Sequence, residues 1–206
     1  MFIMYKFIKR SFDILISVIS LLFIGIICII FIPFYLFGSN KGPMFYKQKR
    51  IGYKGKPFYL YKFRSMIVNA DEVLYGNKDL YKEFKENGYK LPDGKDPRIT
   101  KFGSFIRKTS IDEIPQFINI FKGDMSLIGP RPVVEKELIE YGDKVNEFLS
   151  IKPGAMGYWQ AIGRSNIKYP ERCEVELYYV HHASLIFDLK ILFKSIFSIF
   201  SGNGAY

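Results

Sequence analysis

The sequence predicts an α/β fold that is mostly helical, with one short β element and an N-terminal membrane anchor. Three observations support this prediction. Residues Ser11 to Phe37 are almost wholly apolar, Phe58 to Met66 alternates as a strand does, and several later segments have helical composition. With 206 residues, the chain is long enough for one domain plus an anchor.

Composition indicates an anionic or membrane partner. The chain has 30 Lys and Arg against 20 Asp and Glu, a formal net charge of +10, which favours nucleic acid, anionic lipid or phosphorylated substrates. Its 20 Phe and 15 Tyr fit a membrane interface, and could also serve single-stranded nucleic acid. Cys28 and Cys173 are far apart and form no metal or redox spacing, which argues against a disulfide framework.

The N-terminal apolar run is long enough to enter a membrane. A helix rises ~1.5 Å per residue and must cross ~30 Å of hydrocarbon. The run is too long for a signal peptide, and no A-x-A-like cleavage site follows it. Basic residues flank it on both sides, and the positive-inside rule draws both flanks to the cytoplasm. Gly25 and Pro33 are candidate break points. The residues themselves leave a spanning helix and a re-entrant helix open.

The segments after the anchor are predicted from turn residues and periodicity. Gly38 to Gly55 is interpreted as a basic interfacial linker. In the strand that follows, Lys62 and Arg64 share a face and can reach into a site. Ala70 to Asp96 is interpreted as an excursion from the core, a mobile lid or an exposed loop, with a short helix from Leu74 to Phe84.

Three C-terminal segments are predicted to be helical. Val133 to Tyr141 and Glu171 to Tyr179 are the first two. Ser184 to Phe200 is strongly apolar, with a narrow polar strip formed by Asp188, Lys190 and Lys194. It is interpreted either as a buried core helix or as a helix lying in the membrane interface.

The central stretch, Arg107 to Pro132, carries the candidate chemistry. Ser110 to Glu113 fits a capping box with Ser110 as N-cap, although Thr109 could cap instead or the helix could begin at Pro115. In each case the helix dipole and Arg107 are expected to keep Asp112 ionised. An ionised Asp can attack phosphorus and form an acyl phosphate. The acidic pair, Asp112 and Glu113, can equally be a simple helix cap.

Neighbouring residues favour phosphate chemistry. In Gly129-Pro-Arg-Pro132 the prolines stiffen the backbone around Arg131, which suits bidentate phosphate binding. Arg107 and Lys62 supply further cations, and phosphoryl transfer depends mainly on charge neutralisation and positioning. Adjacent carboxylates beside a diphosphate would also recruit Mg²⁺, so Asp112 and Glu113 are the predicted metal ligands.

Taken together, these motifs resemble the bacterial sugar transferases, also called monotopic phosphoglycosyl transferases. The resemblance covers nearly the whole chain. It rests on Lys9-Arg10 with Asp13, Lys62 to Met66, Asp96 to Thr100, Arg107 to Gln116, Gly123 to Pro132, Lys152 to Gly154, Gly163-Arg164 and Asp188 to Lys190.

The resemblance implies a reaction and roles. The family moves a sugar-1-phosphate from a nucleotide diphosphate sugar, here a UDP-sugar, to undecaprenyl phosphate at the cytoplasmic membrane of a bacterium, for surface glycan biosynthesis. Asp112 would be the nucleophile that releases UMP, and Glu113 would assist at the metal or in proton transfer. The predicted substrate-binding residues are Lys62, Arg64, Arg107, Arg131 and, near the nucleotide, Arg164.

The resemblance also implies an architecture: a re-entrant anchor in residues 1–40 and a cytoplasmic, membrane-associated catalytic domain in residues 41–206. Membrane lipid is then a partner and nucleic acid is not, while a homodimer is left open. Two departures are that Ile24-Gly25 stands where many members have Ser-Pro, and Glu176 where Asp is usual. Asn69 to Glu72 and Gly204 to Tyr206 are similar to larger hexose-1-phosphate transferases, which hints at galactose or glucose.

Other classes explain less of the sequence. A glycosyltransferase that releases UDP often has a D-x-D metal motif, and this chain has none. A basic, non-catalytic membrane or nucleic-acid-binding protein is compatible with the charge but leaves the central stretch unexplained. His181 and His182 are adjacent and therefore face different directions, which disfavours a metal site.

Overall fold

The computed structural model describes residues 2–87, 91–92, 94–162 and 167–200, and within them the chain is mostly helical with short strands, as predicted. The α-helices are α1 (Phe2–Leu36), α2 (Ala70–Gly76), α3 (Lys78–Glu86), α4 (Lys101–Lys108), α5 (Gln116–Lys122), α6 (Val145–Phe148), α7 (Tyr158–Ile162), α8 (Glu171–His182) and α9 (Leu185–Phe200). The strands are β1 (Phe45–Ile51), β2 (Pro57–Phe63), β3 (Ser126–Ile128) and β4 (Gly154–Met156). Shorter 3-10 segments are Gly38–Asn40, Tyr53–Gly55, Ile111–Glu113 and Glu135–Lys144.

An antiparallel hairpin of β1 and β2 replaces the predicted linker. The strand prediction for β2 is confirmed, but the interpretation of Gly38 to Gly55 as a linker is wrong, because β1 lies within it. Tyr46 pairs with Lys62, and Arg50 pairs with Phe58. Turn residues flank β1 on both sides and obscured its alternation, so its pairing partner only becomes evident in three dimensions.

The second sheet is a parallel pair of short strands that holds the Gly-Pro-Arg-Pro loop. Ser126 pairs with Gly154 and Ile128 pairs with Met156. The backbones approach so closely after β3 that a Cβ on Gly154 would lie 2.0 Å from the amide nitrogen of Gly129. Glycine is therefore required at this contact, since no side chain fits between the two chains.

The helix α1 runs through both predicted break points, Gly25 and Pro33, without interruption. Met4–Leu36 is the one helix among the described residues that is long and apolar enough to cross a membrane. A large set of its apolar side chains is exposed, including Phe7, Phe12, Leu15, Leu22, Phe23, Ile26, Ile29 and Ile30.

Polar side chains near the beginning of α1 fasten it to the rest of the chain. Lys9 binds Asp188 of α9 at 2.6 Å. Arg10 donates to the carbonyl oxygens of Ile120 and Phe121 in the last turn of α5. A cation at a helix C-terminus is favourable because the unsatisfied carbonyls carry partial negative charge.

Asp13 completes this attachment. Its buried carboxylate accepts hydrogen bonds from the Ser126 hydroxyl at 3.1 Å and from the Leu127 amide at 2.8 Å, both on β3. The remainder of α1 packs through apolar residues. Ile24, Phe31 and Tyr35 join Phe63 and Ile106 in one buried cluster. The helix thus contacts the rest of the chain along most of its length.

The later helices agree with the sequence in position more than in detail. The helix predicted for Leu74 to Phe84 is two helices, since Asn77 ends α2 and caps α3 through its side chain. Val133 to Tyr141 forms a 3-10 segment, Glu135–Lys144, in place of an α-helix. The prediction for Glu171 to Tyr179 is confirmed and extends to His182 in α8.

The helix α9 is confirmed, but its polar strip is not. Asp188 lies on the inner side, 7% exposed, where it accepts hydrogen bonds from Lys9, Tyr5 and Tyr179. A buried carboxylate needs such donors. Lys190 and Lys194 are exposed as predicted. The outer side also carries large apolar residues, namely Ile186, Leu189, Phe193 and Phe197.

We expect Asp13→Ala to weaken the attachment of α1. Removing the carboxylate leaves the Ser126 hydroxyl and Leu127 amide buried without an acceptor, which costs about 1–3 kcal/mol. The measurement is thermal unfolding of the detergent-purified protein. The control is Ser11→Ala, because Ser11 is exposed and its hydroxyl bonds only within α1, to Phe7. Equal unfolding temperatures for the two variants would contradict this role of Asp13.

Candidate active site

The acidic pair, Asp112 and Glu113, lies in a 3-10 turn between α4 and α5. Ser110 begins the turn in the left-handed conformation, with φ of 56°, and its side chain makes no cap hydrogen bond. The predicted capping box is therefore wrong. A residue in this conformation reverses the chain direction and cannot act as an ordinary N-cap, which has extended backbone angles.

The helix after the turn begins at Gln116, with Pro115 in the N-cap position. Of the three predicted starts, the one at Pro115 is the nearest to the structure. Thr109 instead ends α4, where its hydroxyl donates to the carbonyls of Phe105 and Ile106. Asp112 therefore precedes the first turn of α5, beyond the distance over which the helix dipole acts strongly.

Burial dominates the electrostatics of Asp112. The residue is 7% exposed, because the flanking Ile111 and Ile114 pack against the cluster around Ile106. This burial raises the pKa of Asp112 to about 6, with Glu113 adding to the rise while Lys62 and Arg107 oppose it. Arg107 favours the ionised form as expected, but desolvation outweighs Arg107 and Lys62, so the net pKa lies above the ordinary value of an aspartate.

Lys62 reaches the turn from the end of β2. Its ammonium lies 2.6 Å from a carboxylate oxygen of Glu113, so Glu113 pairs with this cation instead of reaching back to cap a helix. The strand is held in place by Asn119 of α5, which is fully buried. Asn119 accepts from the Tyr61 amide at 3.0 Å and donates to the Tyr59 carbonyl at 2.7 Å.

Arg107 approaches from the last turn of α4, and its charge favours the ionised form of Asp112. The structure thus brings together Lys62, Arg107, Asp112 and Glu113 from three different elements. This arrangement places two cations around a poorly hydrated carboxyl. It can stabilise the oxygens of a phosphoryl group while that carboxyl attacks it.

The other predicted binding residues lie elsewhere. The guanidinium of Arg64 donates to the backbone carbonyls of Asn40, Pro43 and Met66. It therefore ties the loop before β1 to the end of β2, and a substrate contact stays a prediction. Arg164 lies outside the described residues.

Arg131 sits in the rigid Gly-Pro-Arg-Pro loop. Its backbone amide donates to both carboxylate oxygens of Glu176, at 3.2 and 3.4 Å, and its guanidinium carbon is 5.8 Å from the centre of the Trp159 ring. Burial, and then the charge of Arg131, lower the pKa of Arg50, a residue that lies in the supposed linker and was missed. The alternation of Tyr46, Gln48 and Arg50 along one strand face could have identified it.

The adjacent carboxylates, Asp112 and Glu113, are the predicted magnesium ligands. Within the described ranges, no group of three or more His, Cys, Asp or Glu converges. Magnesium nevertheless uses only one or two carboxylates where phosphate and water complete its shell. Asp112 and Glu113 fit that requirement.

Comparison with known proteins identifies the family of this chain. The sequence profile of the family described as "Bacterial sugar transferase" matches residues 4–202. The chain belongs to the bacterial sugar transferase family.

Relatives of this sugar transferase come from several bacteria. The undecaprenyl-phosphate galactose phosphotransferase of Salmonella typhimurium strain LT2 is 43% identical over 98% of this chain and 42% of its own length. The exopolysaccharide production protein ExoY of Sinorhizobium fredii is 41% identical over 96% of this chain and 88% of its own. The UDP-glucose:undecaprenyl-phosphate glucose-1-phosphate transferase of Escherichia coli K12 is 34% identical over 98% of this chain and 42% of its own.

The sugar transferase chain therefore spans less than half of the Salmonella and Escherichia proteins and most of the Sinorhizobium protein. In the two longer relatives, the shared region is a part of a larger protein.

We expect Asp112→Asn to raise the stability of the protein above pH 6. The folded pKa of about 6 lies above the unfolded value of about 3.9, so ionisation of this carboxyl disfavours folding as pH rises between the two values. Above pH 6 the cost is constant, and asparagine removes about 1–3 kcal/mol of it.

The measurement compares thermal unfolding of wild type and variant across pH. The variant should unfold at a higher temperature at pH 8, and the difference should close near pH 4. Asp143→Asn makes the same chemical change at an exposed position and should shift neither value. A lower unfolding temperature for Asp112→Asn at pH 8 would show that the carboxylate stabilises the fold.

Proposed function

We propose that this chain transfers a hexose-1-phosphate from a UDP-sugar to undecaprenyl phosphate and releases UMP, an early step in building a bacterial surface glycan. The observation that carries the proposal is the buried Asp112 carboxyl with Lys62 and Arg107 acting on it. The names of two relatives support the acceptor, since both contain undecaprenyl phosphate, and they name galactose or glucose as the sugar.

The proposed chemistry has two displacements at phosphorus. First, an Asp112 oxygen attacks the phosphorus that bears the sugar, the bond from that phosphorus to the bridging oxygen breaks, and UMP leaves. This forms an acyl phosphate on Asp112. Then a phosphate oxygen of the lipid acceptor attacks the same phosphorus, and the Asp112 carboxylate is released. A poorly hydrated carboxylate favours the attack because little water must be stripped from it.

The cations have separate tasks in this proposal. Lys62 and Arg107 face the carboxyl that reacts and offset the charge that develops on the transferred group. Arg131 is held by its own backbone and by Glu176, which suits it to grip a phosphate of the donor. Asp112 and Glu113 would hold Mg²⁺, which supplies charge neutralisation to the diphosphate.

The contacts of α1 support a cytoplasmic-face placement of the whole chain. Lys9 near the beginning of the helix and Tyr35 near its end both bind the folded domain, Tyr35 through a hydrogen bond to the Arg64 carbonyl at 2.7 Å. These residues are separated by ~40 Å of helix at 1.5 Å per residue, more than the ~30 Å hydrocarbon core. A helix crossing the bilayer would carry the domain's polar surface into lipid. A re-entrant arrangement would keep both ends on one face, but it requires a break in the helix, and α1 has none at Gly25 or Pro33.

An apolar cleft offers room for the lipid chain of the acceptor. It lies between the end of α1 and the start of α4, and Lys101 is among its lining residues. The helix α4 then leads directly to the turn that bears Asp112. The aromatic lining consists of Phe31, Phe34, Phe37, Phe102 and Phe105.

The decisive experiment separates the first displacement from the second. Purified protein is incubated with Mg²⁺, a UDP-sugar and radiolabelled UMP, without lipid acceptor. If a covalent intermediate forms, labelled UMP can attack it and the label enters the UDP-sugar. UDP-galactose and UDP-glucose are tested in parallel. Asp112→Asn should lower this exchange by at least about a thousandfold, whereas Asp143→Asn should leave it unchanged.

Adding undecaprenyl phosphate then tests the complete reaction. Release of UMP with formation of a lipid diphosphosugar is the expected result. Release of UDP would instead assign the chain to the glycosyltransferases that move a sugar without its phosphate. Exchange retained in Asp112→Asn would remove Asp112 as the nucleophile.

Topology is tested by labelling single cysteines in whole cells. In a background with Cys28→Ala and Cys173→Ala, a cysteine is placed at Met4 or at Ser39, on either side of the apolar run. We expect a membrane-impermeant maleimide to label neither position in intact cells and both after permeabilisation. Labelling of one position in intact cells would establish a spanning helix.

A further inference from the structure

Two cationic side chains converge beside the C-terminal end of α5. Gly123 ends that helix in the left-handed conformation, with φ of 88°. A Cβ atom built on Gly123 would lie 3.4 Å from Nη2 of Arg10 and 3.5 Å from Nζ of Lys152. The guanidinium and the ammonium therefore border the same small space, which glycine leaves free of a side chain of its own.

Arg10 has hydrogen-bonding capacity beyond its contacts with α5. Its Nη1 atom donates to the Ile120 carbonyl at 2.6 Å, and its Nη2 atom donates to the Phe121 carbonyl at 2.9 Å. A guanidinium has five N–H donors. These two bonds leave donors for a further acceptor, so Arg10 can bind an anion while it holds the end of the helix.

Lys152 has a fixed backbone position and an ammonium without a partner among the described residues. It directly precedes β4, and the neighbouring Pro153 carbonyl accepts a hydrogen bond from the Ser126 amide at 2.8 Å. The ammonium makes no hydrogen bond or ion pair with the described part of the chain. Its three N–H donors are available to a ligand.

The nearby carboxylates form no ion pair with these two cations within the described ranges. Asp13 is bound to β3, and Asp124 accepts a hydrogen bond from Asn119 at 3.3 Å. Burial, and then the charge of Arg10, lower the pKa of Lys152, against the weaker opposing effects of Asp13 and Asp124. An anion that touched both cations would offset their mutual repulsion.

Exposed aromatic residues flank the two cations. Phe7 lies about one turn before Arg10 on α1 and is 73% exposed, and Phe121 lies two residues before Gly123 and is 46% exposed. Aromatic and basic side chains occur together where a protein meets the headgroup region of a bilayer. This combination indicates the depth at which a phospholipid carries its phosphate.

The two cations are separate from the candidate active site. Asp112 precedes the beginning of α5, whereas Arg10 and Lys152 meet at its other end. The 7 residues of α5 span about 10 Å. An anion held here is therefore distinct from the phosphate that the Asp112 carboxyl would attack.

We propose that Arg10 and Lys152 bind the phosphate of an anionic membrane phospholipid, with both side chains donating to its oxygens and the acyl chains lying along Phe7 and Phe121. Glycerol is favoured over ethanolamine as the headgroup, because the ammonium of ethanolamine would add a third positive charge beside the other two. The bound lipid would join the beginning of α1 to the segment before β4 and so strengthen the attachment of the helix.

The test measures thermal unfolding of the detergent-purified protein with phosphatidylglycerol or phosphatidylethanolamine added to the micelles. Phosphatidylglycerol should raise the unfolding temperature at lower concentrations than phosphatidylethanolamine, because a ligand that binds only the folded state stabilises it. Lys152→Gln should need about fivefold more phosphatidylglycerol for the same rise, as expected when one cation near a lipid surface is lost.

The matched control is Lys122→Gln. Lys122 is exposed at the same end of α5, but its ammonium lies over the Tyr61 ring. Its replacement removes the same charge and should leave the required concentration of phosphatidylglycerol unchanged. Without lipid, Lys152→Gln should unfold at no lower a temperature than wild type, because it breaks no hydrogen bond or ion pair with the described residues.

Gly123→Asn tests the site independently of Lys152. Asparagine tolerates the left-handed conformation, and its side chain would occupy the space between the two cations, so the response to phosphatidylglycerol should weaken. Equal responses of wild type to the two lipids, or an unchanged response in both folded variants, would overturn the proposal. Stabilisation by inorganic phosphate that depends on Lys152, without a matching effect of phosphatidylglycerol, would show that the site binds a soluble anion and reject the lipid.

Discussion

The attachment of α1 depends on giving every buried charge a partner. Lys9, Arg10 and Asp13 occupy little more than one helical turn, yet they meet α9, the end of α5, and β3. An apolar helix face can slide along another apolar face at little cost. A buried carboxylate or ammonium cannot, because displacing it from its partner costs the full desolvation of the charge. These contacts therefore fix the position of α1 along the domain.

Helix α5 contacts both α1 and the strand that carries Lys62. Its last carbonyls hold Arg10, and Asn119 in its middle holds β2, which carries Lys62. The turn with Asp112 immediately precedes it. The positions of α1 and of the turn with Asp112 thus both depend on one short helix. For an enzyme that joins a soluble donor to a lipid acceptor, this shared support would keep the site at a constant distance from the bilayer.

Local sequence patterns predicted secondary structure best where it depends on residues close together in the chain. Alternation predicted β2, and periodicity predicted α8 and α9, because these elements follow from residues close together in the chain. Errors arose where a distant partner decides the outcome. The strand β1 exists because it pairs with β2, and Asp188 turns inward because Lys9 and Tyr179 are there to bind it. A window of sequence contains neither partner.

For the candidate active site, too, the sequence predicted some features and missed others. Residue types and spacing select Asp112, Glu113, Lys62 and Arg107 as candidates, and the structure brings these four residues together. Their role in phosphate chemistry stays a prediction. Residue types and spacing did not reveal that Ser110 adopts a left-handed conformation, that burial raises the pKa of Asp112 to about 6, or that Arg131 and Arg172 converge on Trp159. Charge and hydrogen-bonding capacity belong to each residue and can be read along the chain. Desolvation and the distance between charges depend on which surfaces pack together, and only the tertiary structure sets them.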